Sequence, residues 1–355
     1  SEARVKPVCR HFKSCGGCGL QHASDDFVAE WKVDVVRQAL AAQGIVTEFR
    51  PIEISPPQSR RRASFSARRT KKDAMAGFHK RASDVIVEVP DCQVLHPDLK
   101  PALEVATELA KVGASRKGEL SVTATLSAEG LDIAVTGGKP LDGAFQMQLA
   151  QEAQRLGLAR LTWDDEVIAT RFPPYQRFGK AKVTPPPGSF LQATEHGEQA
   201  LLSAVREIVG DASKLADLFA GCGTFSLPLA ENAEVHAVEG LRDMMKALDQ
   251  GWRQSQGVKR VTTETRDLFR NPIIASDLRY DAVVIDPPRA GAEAQSIELA
   301  QSKVPTIAFV SCNPVTFARD AATLIRGDYN LEWVQVVDQF RWSSHIEVVG
   351  KFTRG

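Results

Sequence analysis

From about residue 214 to the C-terminus, short apolar runs alternate regularly with helical stretches, and this restricts the fold more than any other feature of the chain. "KLADLF", "AEVHAVEG", "VTTETRD", "YDAVVID" and "TIAFVSC" read as strands, while "RDMMKALDQGWRQSQG" and "FARDAATLIRG" read as helices. Runs this apolar suit strands buried on both faces, as in a parallel sheet. The class is therefore α/β: a doubly wound, mostly parallel sheet that binds ligands outside the carboxyl ends of its strands. "YNLEWVQVVDQF" and "HIEVVGKF" supply two closing strands.

Upstream the texture differs. "DDFVAEWKVDVVRQALAAQG" places Phe27, Trp31, Val35, Val36 and Leu40 at helical spacing, with Gly44 as a stop. Residues 45–140 read as strands and turns, including a hairpin in "ELSVTATLSAEGLDIAVTG". The rigid "VTPPPGSFLQAT" marks the junction, giving an N-terminal α+β domain over 1–185 and a second domain over 186–355.

"DLFAGCGTF" places Asp217 at the end of a buried strand and follows it with Gly221 and Gly223. Glycines there permit a tight turn and close approach of a ligand to backbone. Glu239 ends the next strand, where a carboxylate can hold a ribose diol. These residues suit either a nicotinamide dinucleotide or S-adenosylmethionine (SAM). Ser226 stands where the dinucleotide fingerprint has its third glycine, and Asp217 suits an ammonium better than a phosphate, so SAM is favoured. Asp267, ending the third strand, either reaches the adenine or caps a turn.

"VIDPPRAG" and "FVSCNPVTFARD" end the next two strands, so Asp286 and Cys312 face one crevice. Asn313 can cap and Pro314 open the following helix, whose N-terminal partial charge favours a thiolate at Cys312. An inert buried cysteine is the alternative.

"DPPRAG", "SCNP", "DLFAGCGTF", "SFLQAT" and the terminal "HIE" together resemble the motif set of bacterial RNA uracil-5-methyltransferases, in that family's order. The resemblance implies a Rossmann-like SAM domain and a covalent mechanism. Cys312 thiolate would add to C6 of uracil, C5 would take the methyl group, and Glu347 would remove the C5 proton. It further implies that Gln192, Phe219, Glu239 and Asp267 contact SAM, with Asp286 at the crevice floor. Arg289 stands where amine methylases carry an aromatic residue, which speaks against an exocyclic amine as target.

Cys9, Cys15, Cys18 and Cys92 form a C-x5-C-x2-C…C pattern, and with Cys222 and Cys312 they account for all six cysteines. The pattern suits metal ligands better than disulfides in a chain with no visible export signal. Spacing alone leaves zinc and an iron–sulfur cluster open. A subset of the same family carries such a motif around [4Fe–4S], so the resemblance implies that cluster.

Formal net charge is zero, so attraction to nucleic acid must come from a local patch. "RRRASFSARRTKKDAMAGFHKR" supplies one: Arg60, Arg61, Arg62, Arg68, Arg69, Lys71, Lys72, Lys80 and Arg81 stand against a single Asp, with Phe65, Phe78 and His79 interleaved for stacking. The resemblance implies an RNA partner, 23S ribosomal RNA ahead of tRNA, and a target uridine in a loop, where extrusion costs least. Relatives often carry a TRAM domain before the cysteines; with only eight residues ahead of Cys9, it is absent or was removed. No run reaches the length of a membrane span, no obligate protein partner is evident, and a cytoplasmic location is expected.

Overall fold

The computed structural model describes residues 2–354. Its larger sheet has nine strands. From one edge the order is Val261–Thr265, Glu234–Glu239, Lys214–Leu218, Ala282–Ile285, Thr306–Ser311, Glu347–Arg354, Tyr329–Asp338 and Glu48–Phe49, with Glu53–Ile54 also paired to Tyr329–Asp338. Only Glu347–Arg354 runs antiparallel to its neighbours. The chain reverses its direction of winding between Lys214–Leu218 and Ala282–Ile285, and a crevice opens at such a switch. All four residues of Ala282–Ile285 are buried, as expected of a central parallel strand with apolar layers on both faces.

The second sheet has seven strands spanning residues 62–170. They pair antiparallel except Gly130–Thr136 with Arg160–Trp163, which are parallel and joined through the helix Gly143–Arg155. The hairpin in "ELSVTATLSAEGLDIAVTG" forms as Glu119–Ser127 against Gly130–Thr136. Helix Ala102–Gly113 covers this sheet and completes a separate core.

Two expectations need correction. Residues 25–54 do not belong wholly to the N-terminal domain: two short strands extend the larger sheet, and helix Asp25–Ala41 packs on its outer layer. The hairpin Gln176–Phe178 with Ala181–Val183 also lies in the larger sheet's core, so a single cut at 185 does not separate the two units.

The buried stripe of helix Asp25–Ala41 is Val28, Lys32, Val36 and Leu40, rotated from the predicted one, and Phe27 is exposed. The rotation follows from Lys32, which is fully buried and paired with buried Asp338 at 2.6 Å. Lys32 Nζ also donates to the Phe340 carbonyl at 3.3 Å. A charge is hidden where the apolar periodicity suggested a solvent face.

Candidate active site

Strand register assembles the site. Ser311 pairs with Val348, so the next residues outward, Cys312 and Glu347, stand side by side at the sheet's rim. Ile285 pairs with Phe309, which brings Asp286 to the same rim one strand over. Asn313 Oδ1 accepts from Val315 N–H at 3.1 Å and Pro314 opens the helix Pro314–Arg326, as the sequence indicated.

The electrostatics reverse one expectation. Cys312 does precede a helix N-terminus, yet burial, with the Glu347 and Asp286 carboxyls beside it, pushes its thiol up to about 11. Arg289 opposes that rise but does not cancel it. The resting form is therefore the thiol, with burial the main cause and the two acids adding to it. Burial, then Asp286, raises Glu347 well above the ordinary carboxylate range, while a hydrogen bond from Gln339 lowers it.

Next to this cluster lies the loop after Lys214–Leu218. Asp217 is 1% exposed, and its Oδ2 accepts from Ser226 Oγ at 2.5 Å. That bond explains the serine in place of a third glycine. Asp217 Oδ1 has no partner among the described residues, and burial pushes the carboxyl up to about 7. Burial, with Asp217 nearby, brings Asp286 also to about 7. A buried acceptor without a donor is costly, and a cation placed there would relieve it.

Gly221 has φ of 57° and open space where a side chain would project. Gly223 has φ of 96°, and a Cβ there would come within 2.9 Å of Leu227 and Leu248. Glu239 accepts from the N–H groups of Gly221 at 3.2 Å and Leu241 at 3.0 Å, so it closes the same loop. Phe219 also sits at positive φ, 61°, with its ring 5.4 Å from that of exposed Phe269. Asp267 is exposed and caps a turn, accepting from Phe269 N–H at 3.0 Å. This arrangement fits SAM. The orphan oxygen of Asp217 suits its ammonium, the open face over Gly221 gives backbone access, and Glu239 with the Phe219–Phe269 pair lies where a nucleoside would extend.

Comparisons with known proteins agree with this geometry. Residues 252–353 match the family described as tRNA (uracil-5-)-methyltransferase. An uncharacterized RNA methyltransferase of Brucella suis is 43% identical over 100% of this chain and 86% of its own. A 23S rRNA (uracil(1939)-C(5))-methyltransferase of Halomonas elongata is 32% identical over 98% of this chain and 76% of its own. The chain belongs to the RNA uracil-5-methyltransferase family. Its fold is similar to that of a Pyrococcus abyssi tRNA (uracil-54, C5)-methyltransferase solved with S-adenosyl-L-homocysteine, at a TM-score of 0.75, 22% identity, and coverage of 99% of this chain and 86% of that one. As a member of the family it is an enzyme that transfers a methyl group from SAM to C5 of a uracil in RNA.

The methyltransferase uses part of its basic stretch internally, contrary to expectation. Arg61 pairs with buried Glu198, and its Nε donates to the Gln192 carbonyl at 3.1 Å. Arg62 donates to the Gly188 carbonyl at 3.0 Å, and Arg60 lies over the Phe340 ring at 5.7 Å. Arg61 and Arg62 tie this stretch to the segment that carries Gln192, and Arg60 Nε donates to the Arg62 carbonyl at 3.0 Å, so the three are engaged within the protein. Arg68 is held by Glu119 at 2.6 Å. Phe65 is buried against half-buried Phe78, with ring centroids 5.2 Å apart, so Phe65 cannot stack on a base. Arg69, Lys71, Lys72, Lys80 and Arg81 do face solvent, with His79 beside them.

Cys9, Cys15, Cys18 and Cys92 line one cavity of about 240 Å³, bordered by Arg60 and Phe78. All four thiols are free, and among the described residues no group of three or more such side chains is placed to hold a metal ion. Among the residues that motif reading passed over, Gln339 is the one most embedded in the site. Nothing in "VVDQF" marks it, since only the three-dimensional contact with Gln192 reveals its place.

Proposed function

We propose that the enzyme forms 5-methyluridine in 23S ribosomal RNA through a transient bond between Cys312 and C6 of the target base. The convergence of Cys312, Glu347 and Asp286 on one rim carries this reading, because each role needs contact with the same ring. SAM supplies the methyl group. Asp217 Oδ1 would take its ammonium, Gly221 and Gly223 its passage along the loop, Glu239 its ribose, and Phe219 with Gln192 its flanks. Asp267, engaged in a turn, would border the adenine.

In the reaction Cys312 must lose its proton on substrate entry, and the Asp286 carboxylate beside it would accept it, which leaves Glu347 unprotonated for the later step. Sulfur then bonds to C6, and C5 becomes the nucleophile for the methyl group. Glu347 next takes the C5 proton, the C5–C6 double bond re-forms, and the sulfur departs.

The choice of ribosomal RNA rests on the Halomonas relative, whose name specifies 23S rRNA. The Pyrococcus fold neighbour and the family description both name tRNA, which supports tRNA as the second reading. Methylation of purified 23S rRNA and of total tRNA with labelled SAM separates the two. Label in 23S rRNA alone is expected, and label in tRNA alone overturns the choice.

We assign a [4Fe–4S] cluster to Cys9, Cys15, Cys18 and Cys92, with a structural role. Zn–S bonds of about 2.3 Å would draw four sulfurs around a single ion. The four thiols share one cavity, and the family resemblance of their spacing favours the cluster over a single zinc ion. The exposed cations Arg69, Lys71, Lys72, Lys80 and Arg81 are assigned to the RNA backbone, and the N-terminal α+β unit is its platform.

A further inference from the structure

Gln339 follows directly on the strand Tyr329–Asp338 and is 2% exposed. Its Oε1 accepts from Ala193 N–H at 2.8 Å, which settles the orientation of the amide. Its Nε2 donates to Gln192 Oε1 at 2.5 Å, and because Val337, two residues earlier, pairs with Glu347, the Gln339 amide stands beside that carboxyl and opposes its rise. Gln192 is thereby oriented in turn: with Oε1 taken, its NH2 turns to Asp286 Oδ2 at 3.5 Å. One directed chain of hydrogen bonds runs from the backbone at Ala193 through Gln339 and Gln192 to the crevice floor, and it passes beside the base Glu347.

The seat for this amide is built. A Cβ on Gly197 would come 2.6 Å from Gln339 Cβ and 3.1 Å from its Oε1. Gly197 lies in the first turn of helix Glu195–Val209, whose cap Thr194 accepts from Gly197 N–H at 2.9 Å. A residue without a side chain therefore presses helix and amide together.

We propose that Gln339 is a positioning residue for the last chemical step, holding the Glu347 carboxylate charged and aimed at C5. In that step Glu347 takes the C5 proton, the released electron pair restores the C5–C6 double bond, and the C6–S bond breaks to return Cys312 as thiolate. Gln339 touches neither substrate nor cofactor in this scheme. It acts by donating to an acid that burial and Asp286 both push towards the neutral form. The inference rests on the covalent reading above.

Gln339→Met retains volume and removes both donors and the acceptor. With SAM and unmodified RNA, the acid limb of kcat is expected to move to higher pH, with about a tenfold loss of kcat below it. KM for RNA should stay within about twofold. The covalent protein–RNA complex should accumulate several-fold on a denaturing gel, because addition and methyl transfer precede the impaired step. Gly197→Ala, which displaces Gln339 without altering its chemistry, should shift the limb in the same direction by less. If Gln339→Met fails to fold, the Gly197→Ala profile decides. An unmoved acid limb with no accumulated complex overturns the inference. Trapping of the wild-type enzyme by 5-fluorouridine RNA keeps the two claims apart: without trapping the covalent reading fails, whereas trapping with an unshifted variant refutes only the role of Gln339.

Discussion

Binding of SAM to this enzyme should release a proton below pH 7. Asp217 is buried with one oxygen unpartnered, and its carboxyl titrates at about 7 in the unliganded enzyme. The ammonium of SAM requires the carboxylate. At pH 6 roughly nine in ten molecules must therefore lose a proton to bind, while at pH 8 almost none must. Affinity should fall about tenfold from pH 8 to pH 6, or about 1.4 kcal/mol. Asp286 also titrates at about 7 and interacts with Asp217, so the measured value belongs to the pair. The sign carries over to stability. Both folded-state values lie above that of an ordinary carboxyl, so the unliganded protein should lose stability as pH rises through 7, and SAM should offset the loss. Calorimetry at pH 6 in two buffers of different ionisation enthalpy counts the protons directly. Release near one proton, abolished in Asp217→Asn, is expected. A flat affinity with no proton released would refute the assignment of the ammonium to Asp217.

Other consequences follow from the same contacts. Lys32→Met leaves Asp338 buried without its partner and should cost about 3–5 kcal/mol in urea unfolding, whereas Lys32→Met with Asp338→Leu should recover most of it; equal losses would show that the pair does not act as a unit. Arg61→Ala leaves buried Glu198 unpaired, so it should lower the melting temperature and leave the salt slope of RNA binding unchanged. Arg69→Ala with Lys72→Ala should instead reduce that slope by about two without changing the melting temperature. Cys92→Ser should sharply reduce bound iron and sulfide after anaerobic purification, and full retention would contradict the cluster assignment.

The catalytic sheet was legible because its strands are buried on both faces, so that apolar runs, glycine loops and terminal acids fall in a fixed rhythm. Asp217, Glu239, Asp286 and Cys312 each end a strand in sequence, and the sheet places them at one rim as read. What stayed hidden depends on partners distant in sequence. The helix at 25–41 could not be oriented from its own pattern, because the partner of Lys32 is more than three hundred residues away. The basic run at 60–62 read as a solvent patch, but Arg61 meets a glutamate on a helix that begins at residue 195. The thiol at Cys312 was read from its helix alone, and the opposing carboxyls arrive from two other strands. Gln339 has no motif because its role lies wholly in the contacts of its amide.

The transient bond at Cys312 is tested by the mass of the protein after incubation with SAM and a 5-fluorouridine-substituted 23S rRNA fragment. Fluorine at C5 cannot leave as a proton, so Glu347 has nothing to remove and the adduct should persist. A stable complex of protein, RNA fragment and one added methyl group is expected, attached at Cys312 and absent in Cys312→Ser. Methyl transfer by Cys312→Ser at the wild-type rate, or a wild-type protein that never gains the mass of the RNA, would contradict it.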